Sequence, residues 1–556
     1  MTSELVLGPL LRYTGARDAT VWVETDGPCE VGVTANGSSH RARTFSVEGH
    51  HYALVRITDL EPGSSYEYSV ALDGEKVWPK EDDRFPPPVI RTINLDGKLT
   101  LAFGSCRISV PHEPPYTEKR GTLGRGRGGG FERDALYALA LRMRREPEET
   151  WPDTLLLLGD QIYADEVSAG TRDFIRSRRG ADEPPGEQIK DFEEYTRLYW
   201  DSWGDPAIRW LLSTVPSAMI FDDHEVADDW NISEAWVEET RNHPWWNDQI
   251  SGSHVSYWIY QHLGNLSPKE LAENDLFERV KTAEDAGPVL REYAYRAHRE
   301  SAGTRWSFYR DFGGARLVMI DSRGGRVLER GQRSMVDAEE WRWIEEYAIG
   351  GFDHLLLGTS LPVLLGPGMH HLQAWNEAVC SGVWGERAAE WGEKIRRSQD
   401  LDHWSSFRDS FVRLTDLIRR VGAGEKGRPP ASILVFSGDV HHGYLTESTF
   451  RDDEVESPVY QVVCSPLRNS LPGDKSRLQR LAWTKPGELA GRALSRLAGL
   501  SDPEIRWSLT YGSLWFENQI ASLELNGRQA TLVFEKAVLR ASGEPGLEKI
   551  YEYHLV

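Results

Sequence analysis

The sequence predicts an α/β protein in which a small all-β domain precedes a larger layered α/β domain. Residues 1 to about 95 alternate apolar and polar positions between turn residues, which is typical of half-buried strands. From about residue 98, short and almost continuously apolar segments take over, and helical patterns lie between several of them. We therefore expect one domain over residues 1–95 and a second over residues 96–556.

The N-terminal segments ATVWVET, EVGVTA, HYALVRI and SYEYSVALDG are separated by Gly, Pro, Asn and Asp turns. This rhythm predicts a β-sandwich of immunoglobulin or fibronectin type. The Pro-rich segment FPPPVIRTINL that follows is interpreted as the linker that leaves this domain.

The second domain contains the apolar segments KLTLAFGSC, DTLLLLGD, PSAMIFDDHE, ARLVMIDSR, HLLLGTS and SILVFSGDVHH. Most end at Cys, Asp, His or Ser, and functional sites of open α/β sheets form where the carboxyl ends of strands meet. Polar insertions at about 166–198, 228–300 and 366–428 are expected to cover that edge with loops and helices. Near the C-terminus, an Asn-Gly pair between two strand patterns predicts a hairpin that closes a second sheet.

The charge balance restricts the partners. The chain has 64 Lys and Arg against 86 Asp and Glu, a net charge of −22. Such a field repels nucleic acid and anionic membranes, so no nucleic-acid binding is expected, and an anionic substrate requires a local cation. No apolar run approaches the roughly 20 residues of a membrane span, and no signal-peptide pattern begins the sequence. We expect a cytoplasmic protein, or an exported one if the sequence is a processed form; the composition specifies no oligomeric state.

The polar residues at four strand ends are best explained together. A lone Cys is usually a small buried hydrophobe, and a lone Asp is usually a cap or turn residue. Burying many carboxylates side by side, however, is prohibitive unless cations compensate them. The sequence therefore predicts a metal site built from the residues after these strands: Cys106; Asp160, Tyr163 and Asp165; Asp222, Asp223, His224 and Glu225; Asp439, His441 and His442.

The spacing suggests two metals. Asp160 and Tyr163 are three residues apart and can turn toward one metal, whereas Asp439 and His441 lie two apart in an extended segment and could engage neighbouring metals. Thiolate, phenolate, carboxylate and imidazole together suit ferric iron. A site made of carboxylates prefers a hard cation such as calcium, magnesium or manganese.

The order of GDQIY, DDHE and GDVHH resembles calcineurin-like metallophosphoesterases, and Cys106, where most of that superfamily has Asp, resembles the PhoD-like branch. The resemblance covers roughly residues 1–470. It implies a metallophosphoesterase-type core with two central β-sheets flanked by helices, after an N-terminal β-domain. It also implies that ferric iron is held by Cys106, Asp160, Tyr163 and His441.

By the same resemblance, Asp160 bridges to a second cation that Asp223 and Asp439 also bind. Aspartates at 223 and 439 stand where the superfamily commonly has neutral ligands, which favours Ca²⁺ there, with Mg²⁺ or Mn²⁺ as alternatives. His224 would contact the phosphate and protonate the leaving group, oriented by a carboxylate such as Glu225. The histidine that many relatives carry near GTS is absent, so Ser360 or water is expected in its place.

Arginines are expected to complete the site, because a guanidinium matches two phosphate oxygens at once. Arg107 and Arg323 are the candidate phosphate contacts, and Arg468 is more consistent with an ion pair. A loop position is favoured for His370 and His371, and His442 is interpreted as a neighbour of the metals. The segment GRGRGGG is interpreted as a linker or lid, because it lacks the Lys-Ser/Thr ending of a phosphate loop.

The resemblance implies a metal-dependent phosphoesterase of the alkaline phosphatase D type that hydrolyses phosphomonoesters or phosphodiesters through a metal-activated hydroxide. Its substrate would be a small-molecule phosphate ester. A phospholipase-D-like phosphodiesterase is one alternative, since the same metal centre supports both reactions. A non-catalytic binding protein that keeps the fold is an alternative of another class.

Overall fold

The N-terminal region is an all-β sandwich, as predicted. The computed structural model describes residues 3–80, 84–119, 130–180, 182–300, 304–451, 455–471 and 473–556. The strands of the sandwich are β1 Leu5–Thr14, β2 Ala19–Thr25, β3 Glu30–Ala35, β4 Ser38–Arg43, β5 Phe45–Val47, β6 His50–Ile57, β7 Ser65–Leu72, β8 Glu75–Trp78 and β9 Val89–Arg91. One sheet has the order β1-β2-β6-β5 and the other β4-β3-β7-β8, with β9 beside β7.

The segment interpreted as a linker contributes a strand. β9 pairs with β7 in antiparallel fashion and so belongs to the sandwich. We propose the domain boundary near residue 95, between β9 and the first strand of the second domain.

The second domain is a mixed α/β structure with two sheets, which confirms the predicted fold class. Its strands are β10 Leu99–Gly104, β11 Thr154–Leu157, β12 Ser217–Met219, β13 Phe308–Phe312, β14 Ala315–Ile320, β15 His354–Thr359, β16 Ser432–Ser437, β17 Tyr444–Phe450, β18 Val459–Val463, β19 Ile505–Leu509, β20 Gln519–Asn526, β21 Gln529–Leu539 and β22 Pro545–His554.

The six-stranded sheet has the order β12-β11-β10-β20-β21-β22, and the seven-stranded sheet has the order β13-β14-β15-β16-β18-β17-β19. Strands β10 to β12 run parallel to one another, as do β14, β15, β16 and β18. Every residue of β11, β15 and β16 is buried. Burial on both faces explains why these segments are continuously apolar in the sequence.

The predicted C-terminal hairpin is confirmed. Asn526 pairs with Gln529 across the turn, and Gly527 has a φ of +56°, which the Asn-Gly turn requires. Strand β20 pairs with β10 in antiparallel fashion, so the hairpin completes the sheet that carries the first candidate ligand.

Helices surround the two sheets, and most of them come from the three polar insertions. They are α1 Ala135–Met143, α2 Ala169–Arg178, α3 Phe192–Trp203, α4 Pro206–Thr214, α5 Glu234–Arg241, α6 Trp246–Tyr260, α7 Pro268–Ala272, α8 Asp275–Thr282, α9 Gly287–Arg299, α10 Ala338–Tyr347, α11 Pro367–Cys380, α12 Glu386–Ser398, α13 Arg408–Gly422, α14 Gly473–Ala482 and α15 Lys485–Leu497. The loop expected at His370 and His371 is wrong, because both residues lie buried in α11, where His370 packs on Phe411.

The two domains pack tightly against each other. Arg12 of β1 is fully buried and donates to the backbone carbonyls of Tyr260 and Gln261. The Tyr260 ring also packs on Trp22, with ring centroids 5.2 Å apart. Burying a guanidinium against carbonyl oxygens satisfies its donors without a charged partner.

Two further findings concern the chain as a whole. Cys29, Cys106, Cys380 and Cys464 are all within the described residues, and each is a free thiol. Among the described residues, no helix is both long and apolar enough to cross a membrane.

Candidate metal centre and its cavity

The candidate site residues meet because the ends of five strands from the two sheets meet. Cys106 follows β10, Asp160 follows β11, Asp223 follows β12, Arg323 follows β14 and Asp439 follows β16. The loops after β10 and β11 are also joined directly: the backbone N–H of Cys106 donates to the Gly159 carbonyl at 3.3 Å. The fold therefore brings residues more than 300 positions apart to one site, where the strand ends of the two sheets meet.

Four of the candidate ligands adopt a backbone conformation that side chains rarely take. The φ angles are +56° at Cys106, +49° at Asp160, +63° at Asp439 and +53° at His441. A left-handed conformation at a residue other than glycine costs on the order of 1 kcal/mol and persists where the surroundings enforce it. Its occurrence at all four of these positions shows that the surrounding structure enforces an unusual backbone where the candidate ligands lie.

The first group of donors contains Cys106, Asp160 and His441. One potential ligand atom from each lies within 4.8 Å of the others. The Tyr163 hydroxyl donates to Asp160 Oδ2 at 3.2 Å and accepts from Asn469 Nδ2 at 3.2 Å, so the phenol points at the same group. The structure thus brings together all four residues that the resemblance assigns to the first metal.

The second group shares Asp160 with the first. Carboxylate oxygens of Asp160, Asp222, Asp223 and Asp439 lie within 4.8 Å of one another. Asp222 was among the candidate residues after the strands, but the resemblance assigned it to neither metal. Its Oδ2 lies against Gly159, where an added Cβ would stand 2.5 Å from that oxygen, so a glycine is required here.

The electrostatics of both groups fit a cation. Burial, followed by the neighbouring charges of Asp160 and Asp439, raises the pKa of the Cys106 thiol. Burial also raises the pKa of Asp160 and of Asp222. Among the residues that the structure describes, Asp160 Oδ1 has no hydrogen-bond partner although it is buried. A buried acceptor of this kind, beside a thiol, a phenol and an imidazole, suits a metal ion.

His224 is held by a carboxylate, but not by the expected one. Its Nδ1 lies 2.8 Å from Asp165 Oδ1, while Asp165 Oδ2 accepts from the backbone N–H of Asp228 at 2.7 Å. Although burial alone would lower it, the charge of Asp165 raises the pKa of His224. The predicted orienting role of Glu225 is wrong, because Glu225 is buried and accepts from the backbone N–H groups of Gln161 and Asp222, both at 3.0 Å.

Arg323 lies among the carboxylates of the second group. Its guanidinium is 2.7 Å from Asp222, 3.2 Å from Asp223 and 3.3 Å from Asp439, and it also contacts Asp402. Its loop is fixed by Asp321, whose carboxylate accepts three successive backbone N–H groups at 2.9 Å. This position is consistent with the predicted role.

Arg107 is turned away from the centre, which does not fit its predicted role. Its Nε donates to Asp134 at 2.8 Å and its Nη1 to the Ser202 carbonyl at 2.8 Å, and both charged side chains are buried. It is not among the described residues that line the cavity. Arg468 is also structural, with a donor 2.9 Å from the Pro111 carbonyl.

A cavity of about 310 Å³ opens beside the two groups. Besides candidate ligands, it is lined by acidic residues, apolar residues and residues of the third insertion. The acidic ones are Glu166, Asp228, Asp229 and Asp400; the apolar ones are Leu365, Met369, Val440 and Leu471; those of the insertion include Gln373, Asp402 and His403. Sequence reasoning missed Asp402 and His403, because they lie on an insertion and follow no strand.

The remaining predicted residues are neighbours. His442 Nδ1 is 2.7 Å from the Val440 carbonyl, and its ring stacks on Tyr444, so it stays outside the donor groups as expected. The Ser360 hydroxyl pairs with that of Ser322 at 2.8 Å. Of the glycine-rich segment at 124–130, all but Gly130 lie outside the described residues.

Comparisons with known proteins give a profile match over part of the chain and two similar folds. A profile for PhoD-like phosphatases matches residues 129–263, and a domain of unknown function (DUF7800) matches residues 2–90. No curated protein matches the chain. The fold is similar to that of PhoD (TM-score 0.59, 13% identity, 99% of this chain and 90% of PhoD covered). It is also similar to the purple acid phosphatase PPD1 of yellow lupin, Lupinus luteus (0.51, 10%, 98% and 73%).

The profile match includes the GDQIY and DDHE motifs, and it supports a metal-dependent phosphatase; the two solved structures show that the chain shares their fold. Residues 129–263, which carry those motifs at adjoining strand ends, are therefore similar to the PhoD-like phosphatase family.

Proposed function

We propose that this protein is a metal-dependent phosphoesterase that hydrolyses phosphomonoesters and phosphodiesters of small alcohols, with a preference for diesters. One observation carries the proposal. Asp160 belongs to both donor groups, and the cavity beside them also contains His224, held by Asp165. A shared carboxylate between two cation sites, next to a positioned acid, is the arrangement that phosphoester hydrolysis requires.

Cys106, Asp160, Tyr163 and His441 would hold ferric iron, whereas Asp160, Asp223 and Asp439 would hold a hard divalent cation, with Ca²⁺ preferred to Mg²⁺ or Mn²⁺. Asp222 is added to the second group by its position. When bound, the two cations supply Lewis acidity toward the phosphoryl oxygens and the attacking water.

His224 donates a proton to the departing alcohol oxygen. Asp165 holds the ring through Nδ1, which leaves Nε2 as the atom that faces the reacting group. Arg323 contributes fixed positive charge: burial alone would lower its pKa, but the aspartates around it raise the pKa well above its usual value. The guanidinium therefore stays charged while negative charge develops on the phosphoryl oxygens.

The preference for diesters follows from the charges at the cavity. Asp229 lines it beyond the candidate ligands, but burial together with Asp400 raises its pKa to about 9, so this side chain is neutral near pH 7. Two other acidic residues there are Asp228 and Asp400. A monoester dianion meets more repulsion from these carboxylates than a diester monoanion does. Leu365 and Met369 offer apolar surface for the second ester group.

The test measures metal content and turnover on the same preparations. Wild type is purified without chelators and assayed with p-nitrophenyl phosphate and bis(p-nitrophenyl) phosphate, beside Cys106→Ala and Asp160→Asn. We expect iron and a second cation in wild type, a higher kcat/KM for the diester, and loss of both metal and turnover in the variants. Folded, metal-replete wild type that hydrolyses neither ester contradicts the proposal and favours a binding protein that keeps the fold.

A further inference from the structure

His403 presents to the cavity a ring nitrogen that has no hydrogen-bond partner among the described residues. The residue is 8% exposed and lies between α12 and α13, in the insertion that covers the sheet edge. Its Nε2 is 3.5 Å from Asp439 Oδ2, and within the described ranges it has no hydrogen-bond partner. The other ring nitrogen, Nδ1, lies 3.1 Å from the Gln373 side chain.

Gln373 is fixed in one orientation by its surroundings. One of the two terminal atoms of the Gln373 amide accepts three hydrogen bonds. The donors are the backbone N–H of His403 at 3.2 Å and the hydroxyls of Ser405 and Ser406 at 2.9 and 3.2 Å. A backbone N–H can only donate, so this atom is the amide oxygen. The amide nitrogen must then be the atom that faces His403 Nδ1. Gln373 is 1% exposed, so water does not compete for these contacts.

This orientation determines which nitrogen of His403 carries the hydrogen. Because Gln373 donates to Nδ1, the neutral ring has its lone pair on Nδ1 and its hydrogen on Nε2. Asp402 Oδ1 is 3.4 Å from Nδ1, whereas its Oδ2 is engaged by Arg323 and Arg326. A neutral ring with Nε2–H cannot bind a cation through Nε2, but it can donate to an oxygen in the cavity.

We propose that His403 binds the phosphoryl group of the substrate through Nε2–H, and that Gln373 is the positioning residue that keeps this hydrogen on Nε2. The identity of the ligand rests on the proposed function; the direction of the hydrogen bond rests on the contacts of Gln373. A ligand oxygen in the cavity satisfies the one buried donor of this ring that lacks a partner among the described residues.

The competing role for His403 is to hold Asp439. Its Nε2 faces Asp439 Oδ2 at 3.5 Å, and an outer hydrogen bond to a metal-binding carboxylate would support the second cation. The two roles differ in what is lost when the donor is removed. Loss of a ligand contact weakens phosphate binding at full metal content, whereas loss of support for Asp439 lowers metal content.

The experiment titrates inorganic phosphate into metal-loaded protein by calorimetry, with metal content measured on each sample. His403→Leu removes the donor, His403→Gln places an amide N–H near the position of Nε2, and Gln373→Leu removes the positioning contact. We expect His403→Leu to weaken phosphate binding by about 10- to 100-fold at unchanged metal content, as for a lost hydrogen bond to a charged group. His403→Gln should restore most of it, and Gln373→Leu should weaken it less.

Several outcomes overturn the inference. Unchanged phosphate affinity in His403→Leu, or a loss of affinity that only accompanies loss of the second cation, assigns His403 no ligand contact. Wild type that fails to bind phosphate overturns both the inference and the proposed function. Wild type that binds phosphate without hydrolysing either ester overturns only the proposed function, because the phosphate titrations still decide the role of His403.

Discussion

His224 and Asp165 form a pair across two strand ends: Nδ1 of the ring lies 2.8 Å from Oδ1 and 3.0 Å from Oδ2 of the carboxylate. Asp165 follows β11 and His224 follows β12, so the pair spans neighbouring parallel strands. The carboxylate fixes both the plane of the ring and the nitrogen that faces the cavity. The acid is therefore oriented by the same sheet edge that assembles the donor groups.

Removing this acid should lower turnover without removing metal. We expect His224→Asn to reduce kcat by about 10²- to 10⁴-fold, the usual contribution of general acid catalysis, and Asp165→Asn to reduce it by about 10- to 100-fold. His243→Asn is the control, because His243 is exposed and is not among the described residues that line the cavity. Metal loss in His224→Asn would instead identify His224 as a ligand.

Metal loading should improve as pH rises. Burial raises the pKa of Cys106 above its usual range, so the thiol keeps its proton until a cation displaces it. Chelator-treated protein is reloaded with Zn²⁺ as a soluble probe at pH 6 and pH 8, and bound metal is measured after desalting. We expect more metal at pH 8, and a weaker dependence on pH in Cys106→Ser because a serine hydroxyl is a far weaker acid than a thiol and keeps its proton at both pH values. Equal loading of wild type at both values would contradict a thiolate ligand.

Arg107 should matter for stability and not for phosphate binding. Its pair with Asp134 is buried, and Asp134 also caps α1 by accepting from Leu136 and Tyr137. We expect Arg107→Met to lower the free energy of unfolding by about 3–5 kcal/mol, because it leaves a buried carboxylate unpaired. Adding Asp134→Asn should restore part of that loss, since no charge then remains and asparagine still caps the helix.

Phosphate titration of Arg107→Met separates the two roles of an arginine at this edge. The affinity of the folded variant for inorganic phosphate should equal that of wild type, whereas Arg323→Met should lose affinity. An equal loss of phosphate affinity in both variants would mean that Arg107 also contributes to phosphate binding.

The sequence was informative about candidate ligands that come directly after a buried strand. Cys106, Asp160 and Asp439 could be predicted because an apolar run ends immediately before each, and parallel strand ends must share an edge. Periodicity also predicted the terminal hairpin, because the Asn526-Gly527 turn specifies its register.

Side-chain direction in irregular segments was not predictable in the same way. Arg107 directly follows a candidate ligand, yet its backbone pairs with that of Arg468 and its side chain points toward Asp134. Asp165 and Glu225 are both carboxylates near His224 in the motifs, and only the three-dimensional turn decides between them. His403 had no sequence signal, because an insertion brings it to the cavity.

The interface between the two domains contains a pH-dependent contact. His50 of β6 lies 3.1 Å from Glu24 in the sandwich and 2.8 Å from Glu193 of α3 in the second domain. Although partial burial would lower it, hydrogen bonds to Glu193 and Glu24 raise the pKa of His50 to about 9. The contact therefore contributes its full stability below the usual histidine pKa of 6.5 and loses it as pH rises through about 9.

We expect His50→Gln to lower the free energy of unfolding by about 1–2 kcal/mol at pH 6, a value reduced from the full pKa shift because Glu193 is partly exposed. The difference between wild type and variant should shrink toward pH 10, where the wild-type imidazole is neutral. Denaturant titrations of wild type and His50→Gln at pH 6, 8 and 10 measure this difference in the free energy of unfolding, with His40→Gln as the surface control. A difference that stays constant across this range would mean that His50 acts by packing against Tyr52 and Phe192 rather than by its charge.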